Sequence, residues 1–305
     1  MDRLESMRVF VAVAEARGFA SAARRLGMSP PAVTRAVAAI EDHLGAQLLR
    51  RTTRVVRLTD AGERYLHDTR KILASIEDAE ATAAGSHAEL RGPITITAPV
   101  MFGQRHVAPV ILEFAAKHPL VEMRARLADK VVDLIEDEAD IAIRIAQLDP
   151  ESLEIGARVG EVRRVCCASV AYLSKHGIPK TPADISSHRV ISFSHRATPA
   201  DWGFVEGEGH TIVRPSFALV TNSTELSVAA ALAGHGITRA LSYQVAEEVR
   251  KGSLRLLLEP FEPPPLPIFI LYRDGPRAPA RVRAFVKFAT TKLRQDAALT
   301  RFGRR

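Results

Sequence analysis

The chain has 305 residues, of which 47% are apolar and 25% charged, and its formal net charge is +7. That length supports two or three domains with sizeable cores, and the balance excludes a disordered or low-complexity protein. No apolar run approaches the ~18 residues of a membrane span. The opening MDRLESMRVF carries acids where a signal peptide has its apolar core, so a cytoplasmic location and no membrane partner are expected.

In the first stretch Met7, Phe10, Val11 and Ala14 fall at i, i+3, i+4 and i+7, the spacing of a core-facing helix. Gly18 is expected to end it, and Ser21 to cap a second helix over Ala22 to Leu26. After a tight turn at Gly27, Ser29 is a good N-cap and Pro30 and Pro31 suit a first turn, so a third helix should run from Pro30 to Leu44. Val33, Val37, Ile40 and Leu44 form its buried stripe; Pro31, Thr34, Arg35 and Ala38 point the other way. That outer face is lean, with one hydroxyl and one guanidinium, and suits a major groove, where Arg reads guanine and Thr reads several edges. The run RRTTRVVRL then reads as a hairpin bearing Arg50, Arg51, Arg54 and Arg57, suited to phosphates and a narrow minor groove. Residues 17–57 hold eight Arg against only Glu41 and Asp42, a net of +6. An ordinary amphipathic helix pair with solvated arginines is the bland alternative, but charge this local is the footprint of nucleic-acid binding.

A long helix should follow, capped by Asp60 and reaching about Ala84. Tyr65, Thr69, Ile72, Ile76, Ala79 and Ala83 are spaced 4, 3, 4, 3 and 4, a heptad seam. About 25 residues span roughly 37 Å, more than a local core needs, so the seam is expected to join two chains. The alternative is that the stripe rests on its own domain.

Gly85-Ser86 and Arg91-Gly92-Pro93 break the helix, and alternating strands and helices follow. Strand-like runs are Ile94 to Ala98, Val121 to Leu127, Ile141 to Ile145, Val190 to Phe193, Val213 to Val220, Leu254 to Leu258 and Ile268 to Tyr272. Helical runs are about Val107 to Lys117, Val131 to Glu138, Val170 to His176, Glu225 to Ala233, Tyr243 to Arg250 and Ala280 to Arg294. This alternation predicts an α/β architecture with parallel sheets. Pro182 and the segment Pro263-Pro264-Pro265-Leu266-Pro267 read as connections, the latter returning the chain to its first subdomain. Cys166 and Cys167 are adjacent, cannot easily bridge, and most simply fill a strand as small buried side chains.

The amino-terminal pattern resembles the winged helix-turn-helix of LysR-type transcriptional regulators along its whole length. The Phe10 helix, Ala22-Ala23 with Leu26, Ser29-Pro30-Pro31-Ala32-Val33, Ile40-Glu41, Leu44-Gly45, Arg51-Thr52-Thr53-Arg54 and Leu58-Thr59 carry the likeness. It implies a winged helix-turn-helix over 1–59, a linker and dimerisation helix over 60–90, and an effector-binding domain over 91–305. That last domain would be two-lobed and similar to periplasmic binding proteins, with lobe I about 91–163 and 267–300 and lobe II about 164–266. The DNA-contacting candidates are Ser29, Pro30, Pro31, Thr34, Arg35, Arg51, Thr52, Thr53 and Arg54.

Ligands of two-lobed α/β folds bind beyond the carboxyl ends of strands and near helix N-termini. That rule selects Val100, Met101, Arg144, Phe193, Asn222, Ser223 and Thr238, with His195 nearby, and the resemblance makes these inducer-contacting positions. Promoter DNA, a small-molecule effector, a second or further copies of the chain (dimer or tetramer) and RNA polymerase are the implied partners. No Gly-x-Ser-x-Gly, phosphate-cradling glycine loop or His/Cys metal spacing appears, so no catalysis, cofactor or metal is expected. A DNA-binding protein without effector response is the competing reading, although it would not need two further lobes.

Overall fold

Turn chemistry partitions the amino-terminal residues before apolar packing joins them. The computed structural model describes residues 2–51, 56–83, 89–129, 139–147, 155–194, 201–272, 275 and 278–300. They form two units, Met1–Glu89 and Leu90–Arg305. In the first, α1 (Arg3–Ala16), α2 (Phe19–Leu26) and α3 (Pro30–Leu44) are separated by residues in the left-handed conformation, Arg17 and Gly27, and Gly45 ends α3 the same way. Gly18 therefore does not end α1; it is the extended residue that opens α2, and the expected cap Ser21 lies inside that helix. Ser29 caps α3 as expected, its Oγ accepting the Ala32 N–H at 3.4 Å. Met7, Phe10, Val13, Ala22, Val33, Val37 and Ile40 share one core. Leu44 does not: at the last residue before the Gly45 turn it is 39% exposed, and Leu48 and Leu49 fill the core instead.

Strands β1 (Leu49–Arg51) and β2 (Val56–Leu58) pair antiparallel, Leu49 opposite Leu58 and Arg50 opposite Arg57. Thr59, not Asp60, caps the long helix α4 (Asp60–Ala83): its Oγ1 accepts the Gly62 N–H at 2.9 Å and donates to the Gln47 carbonyl at 2.7 Å. Gly62 is obligatory, since a Cβ there would stand 2.0 Å from the Leu48 carbonyl oxygen. The α4 stripe divides in two. Leu66, Thr69 and Leu73 are buried and Tyr65 packs on Phe10, ring centroids 5.3 Å apart, whereas Ile72 is 44% exposed and Ala79 is exposed.

The second unit holds two five-stranded sheets. The first has the order β4-β3-β5-β14-β6, with β3 (Gly92–Ala98), β4 (Val121–Leu127), β5 (Ile141–Ile145), β6 (Ile155–Val162) and β14 (Leu266–Tyr272). The second has the order β11-β8-β12-β7-β13, with β7 (Arg164–Ser169), β8 (Val190–Phe193), β11 (Phe217–Thr221), β12 (Ile237–Leu241) and β13 (Leu254–Leu257). Both sheets are mixed, which corrects the expected parallel ones. β14 runs antiparallel to β5 and β6, and β7 antiparallel to β12 and β13, because the chain crosses between sheets twice. The proline segment does return the chain to the first sheet, with Leu266 and Pro267 already in β14.

α5 (Val100–Phe102), a π turn over Gly103–Val107, α6 (Ala108–Lys117) and α10 (Ala280–Arg294) accompany the first sheet. The second has α7 (Val170–His176), α8 (Thr224–Leu232) and α9 (Ser242–Arg250), with α11 (Ala297–Thr300) closing the described chain. A hairpin of β9 (Trp202–Glu206) and β10 (Gly209–Val213) was not expected from sequence, nor were β6 and β12 as strands. Cys166 and Cys167 are buried on opposite faces of β7, in two different core clusters, and are free. The expected helix Val131 to Glu138 lies outside the described residues.

Candidate nucleic-acid interface and inter-lobe cavity

The outer face of α3 is held ready by its own capping and by the strands that follow. Pro31 and Arg35 are exposed, Thr34 and Ala38 half-buried, and among the described residues no carboxylate pairs with Arg35. Glu41, on the same helix, organises what comes next: its Oε1 accepts the N–H groups of Leu48 at 2.8 Å and Leu49 at 3.0 Å. A single acid thus fixes the angle between helix and hairpin. Sequence reading counts it with Asp42 against the local charge and with Ile40 in the resemblance, but gives it no structural role; its place four residues before the helix-ending Gly45 was the available signal. The hairpin is tied at its far strand by the Val56 N–H to the Arg17 carbonyl, 3.3 Å.

Arg50 and Arg57 are exposed and directly opposite one another across β1 and β2. Like charges so placed are destabilising unless an anion lies between them or beside them. Among the described residues neither has a carboxylate partner. Two guanidiniums beside a helix with a lean exposed face form a surface for phosphate and base edge together. Arg51 supplies backbone to β1, opposite Val56, while Thr52, Thr53 and Arg54 lie outside the described residues.

The second unit encloses a cavity of about 530 Å³ at the carboxyl ends of the parallel strands β8 and β12. Ser192 and Phe193 line it from β8 and Ser194 from just beyond it, and Arg239, Ala240 and Leu241 from β12. Thr224, Ser227 and Val228 face it from the first turns of α8, which Ser223 caps by accepting the Leu226 N–H at 3.2 Å. The first sheet contributes Ile145 and Leu266, so the cavity lies between the lobes. Arg164 and Trp202 complete one wall. Arg239 lies over the Phe204 and Trp202 rings, at 5.1 and 5.7 Å from their centroids, and donates to the Gly203 carbonyl. Burial pulls its guanidinium below the ordinary arginine range, as it does for Arg164.

The structure separates the sequence-chosen effector residues. Phe193 is on the cavity wall, and Ser223 caps the helix that faces it. Val100 opens α5 and donates its N–H to Asp129 at 2.9 Å. Met101 is 4% exposed in the first lobe's core. Arg144 is half-buried opposite Phe269, while its neighbour Ile145 turns to the cavity. Thr238 is fully buried, bonded to Ser227 Oγ at 2.6 Å and to the Ile191 carbonyl at 3.2 Å, so its role is to fix Ser227. Asn222 sits in the bend before α8, and His195 lies outside the described residues. The wall residues Trp202 and Arg239 were not selected because β12 and the β9–β10 hairpin are not legible as strands, and Arg164 and Gln244 because the expected strand and helix that carry them do not disclose which side chains turn to the cavity.

Burial pushes the Cys166 thiol up to about 12 and that of Cys167 further still, so neither is a ready nucleophile. Among the described residues no group of three or more His, Cys, Asp or Glu is placed to hold a metal, and no helix is long and apolar enough to cross a membrane.

Comparison with known proteins matches this geometry at both ends of the chain. Residues 4–63 match the model described as "Bacterial regulatory helix-turn-helix protein, lysR family", and residues 87–294 that of the "LysR substrate binding domain". The chain is 31% identical to the HTH-type transcriptional activator AaeR of Escherichia coli (strain K12), across 95% of this chain and 94% of that one. Among solved structures it is similar to CrgA, a LysR-type transcriptional regulator from Neisseria meningitidis, with a TM-score of 0.61 and 28% identity over 95% of this chain and 98% of that one. It also resembles the Vibrio cholerae virulence activator AphB, with a TM-score of 0.60 and 25% identity over 95% and 99% of the two chains. A helix-turn-helix with an arginine wing, followed by two lobes around a cavity and matched over nearly its full length, places this chain in the LysR family of DNA-binding transcriptional regulators.

Proposed function

We propose that the chain binds promoter DNA as a dimer or tetramer and that a small organic effector between its lobes alters the spacing of the DNA-binding heads. The observation that carries this is the pairing of two unlike surfaces. One is a helix face with Arg35, which pairs with no carboxylate among the described residues, beside the opposed Arg50 and Arg57; the other is a cavity lined from both lobes. Residues 1–59 act as the DNA-binding domain. Ser29, Pro30, Pro31, Thr34 and Arg35 lie at the groove, and the wing Arg51-Thr52-Thr53-Arg54 lies at the flanking backbone. Residues 60–90 link and dimerise, and residues 91–305 respond to the effector through the two lobes bounded as above. Phe193 and Ser223 remain effector candidates, Val100, Arg144 and Asn222 stand at the margins, and Met101 and Thr238 shape the site from behind.

Such a protein is a regulator rather than an enzyme. It works in the cytoplasm where the promoter is, and it acts on transcription through RNA polymerase. A DNA-binding protein without effector response would leave the two-lobed cavity without a use. Footprinting of the full chain on the DNA upstream of its own gene tests the reading. Protection of two half-sites separated by whole helical turns is expected, because a symmetric dimer presents two recognition helices. Uniform, salt-sensitive coating of any fragment would sink it.

A further inference from the structure

The cavity wall carries two positive charges with little to balance them, and this observation rests on the reading of the cavity as the effector site. β12 and β7 are antiparallel, with Arg239 opposite Cys166 and Leu241 opposite Arg164. Arg164 and Arg239 are therefore diagonal neighbours on one face of the sheet, roughly 7–8 Å apart along the backbone. Both side chains line the cavity.

The acids nearby are already engaged. Asp201, on the same wall, holds Arg214 at 3.0 Å. Glu262 acts on Arg239 electrostatically but is off the wall and is held by Arg163 at 3.3 Å. Among the described residues no carboxylate pairs with Arg164, and burial is what lowers its pKa. Two guanidiniums partly withdrawn from water, repelling one another, are an unfavourable arrangement by themselves and a favourable one around a matching anion.

The two arginines are also unlike in how they are anchored. Arg239 is pinned by the Gly203 carbonyl and by the Phe204 and Trp202 rings, so its fork is pre-organised. Arg164 is the more exposed of the two and has no such anchor among the described residues. Ser192, Ser194, Thr224 and Ser227 add hydroxyls, and Phe193 and Trp202 add flat apolar surface. We propose that the inter-lobe cavity takes a small, flat dicarboxylate, with Arg239 and Arg164 each receiving one carboxylate and Trp202 flanking the body between them. The diagonal placement of the two residues on the sheet favours two distinct carboxylates over the single centre of a phosphate.

Trp202 is the only tryptophan of the chain, so its fluorescence reports the cavity without labelling. The full-length chain would be titrated at pH 8 and constant ionic strength with phthalate, isophthalate, terephthalate, benzoate, benzamide and inorganic phosphate. At least one dicarboxylate should saturate the emission change at a concentration tenfold or more below benzoate, with benzamide and phosphate weaker still. Arg164→Gln, at an exposed position that does not threaten folding, should abolish that tenfold preference while leaving benzoate unchanged. Equal saturation by benzoate and every dicarboxylate, or an unchanged preference in Arg164→Gln, overturns the assignment, as does the absence of any response to a dicarboxylate. Footprints taken in parallel separate the two ideas. Arg164-dependent binding that leaves the footprint unaltered refutes the effector role and keeps the ligand class; a footprint altered only by benzamide does the reverse.

Discussion

Arg35 and Arg57 are both exposed arginines of the amino-terminal unit, yet their surroundings assign them different work. Arg35 stands among small side chains on the outer face of α3, where a guanidinium can reach a guanine edge. Arg57 stands opposite Arg50 on a strand, where two like charges suit the phosphate backbone. Arg35→Ala should therefore cost about 1–3 kcal/mol on the specific site and little on random DNA. Arg57→Ala should weaken both alike and lower the salt slope of log K by about 1. Fluorescence anisotropy on both DNAs across a salt series checks the pair, and equal losses on both DNAs for Arg35→Ala would refute direct readout. Glu41 is the third residue of this surface to test, through its two backbone hydrogen bonds to Leu48 and Leu49. Hydrogen bonds to a charged acceptor are the stronger kind, so Glu41→Ala should destabilise the amino-terminal unit by about 2–3 kcal/mol in thermal unfolding. An unaltered transition would show that water replaces the carboxylate at no cost.

Among the elements, α4 shows how far periodicity alone can be taken. One helix carries two interleaved apolar stripes, and spacing cannot say which faces home. Leu66, Thr69 and Leu73 turn to the helix's own unit; Ile72 does not. Ile72→Asp with Ile76→Asp should then yield monomers that no longer bind a dyad site but keep the parent's unfolding transition. Leu73→Ala should lower that transition by about 2–5 kcal/mol whatever the oligomeric state. Sedimentation of the double variant as an intact dimer would move the main contact elsewhere. The same limit explains what else sequence did and did not disclose. α3, with its Ser29 cap and Gly45 stop, and α10, with a single apolar stripe, were legible nearly to the residue. β6 (IGARVGEV) and the β9–β10 hairpin (WGFVE, GHTIV) were not, because glycines and charges interrupt the β-branched pattern, and β6 in addition pairs with the distant β14. At the cavity, strand ends could be located but side-chain direction could not. Arg144 was therefore chosen over Ile145, and Thr238 over Arg239, each one residue from the wall.

At the scale of the whole effector-binding unit, the two lobes are joined by two crossings, and a short charged cluster ties these to each other. Arg163 is the single residue between β6 and β7; its backbone N–H donates to Ser242 Oγ at 3.1 Å and its carbonyl accepts the Ser242 N–H at 2.8 Å. Ser242 opens α9, whose neighbours Leu241 and Gln244 line the cavity, while Tyr243 meets Phe102 edge-on in the first lobe's core at 5.3 Å. One turn of chain thus touches cavity, crossing and lobe core. The Arg163 side chain reaches the return crossing, 3.3 Å from Glu262 and 3.5 Å from Glu259. Burial raises the Glu262 carboxyl from an ordinary 4.5 to about 7, with Arg163 opposing and Glu259 adding to the rise. The folded state therefore holds a proton on Glu262 that the unfolded chain releases between about pH 4.5 and 7. Stability from this group is greatest below that window and declines as pH rises through it. Glu262→Gln removes the titration while keeping size and shape. With allowance for screening at a partly solvated site, the variant should exceed the parent by about 1–2 kcal/mol at pH 8 and by nothing near pH 4.5. Calorimetric unfolding of both proteins from pH 4.5 to 8 measures the divergence. Parallel curves over that range would mean that Arg163 keeps Glu262 ionised throughout, and that the crossing is an ion pair without a proton switch.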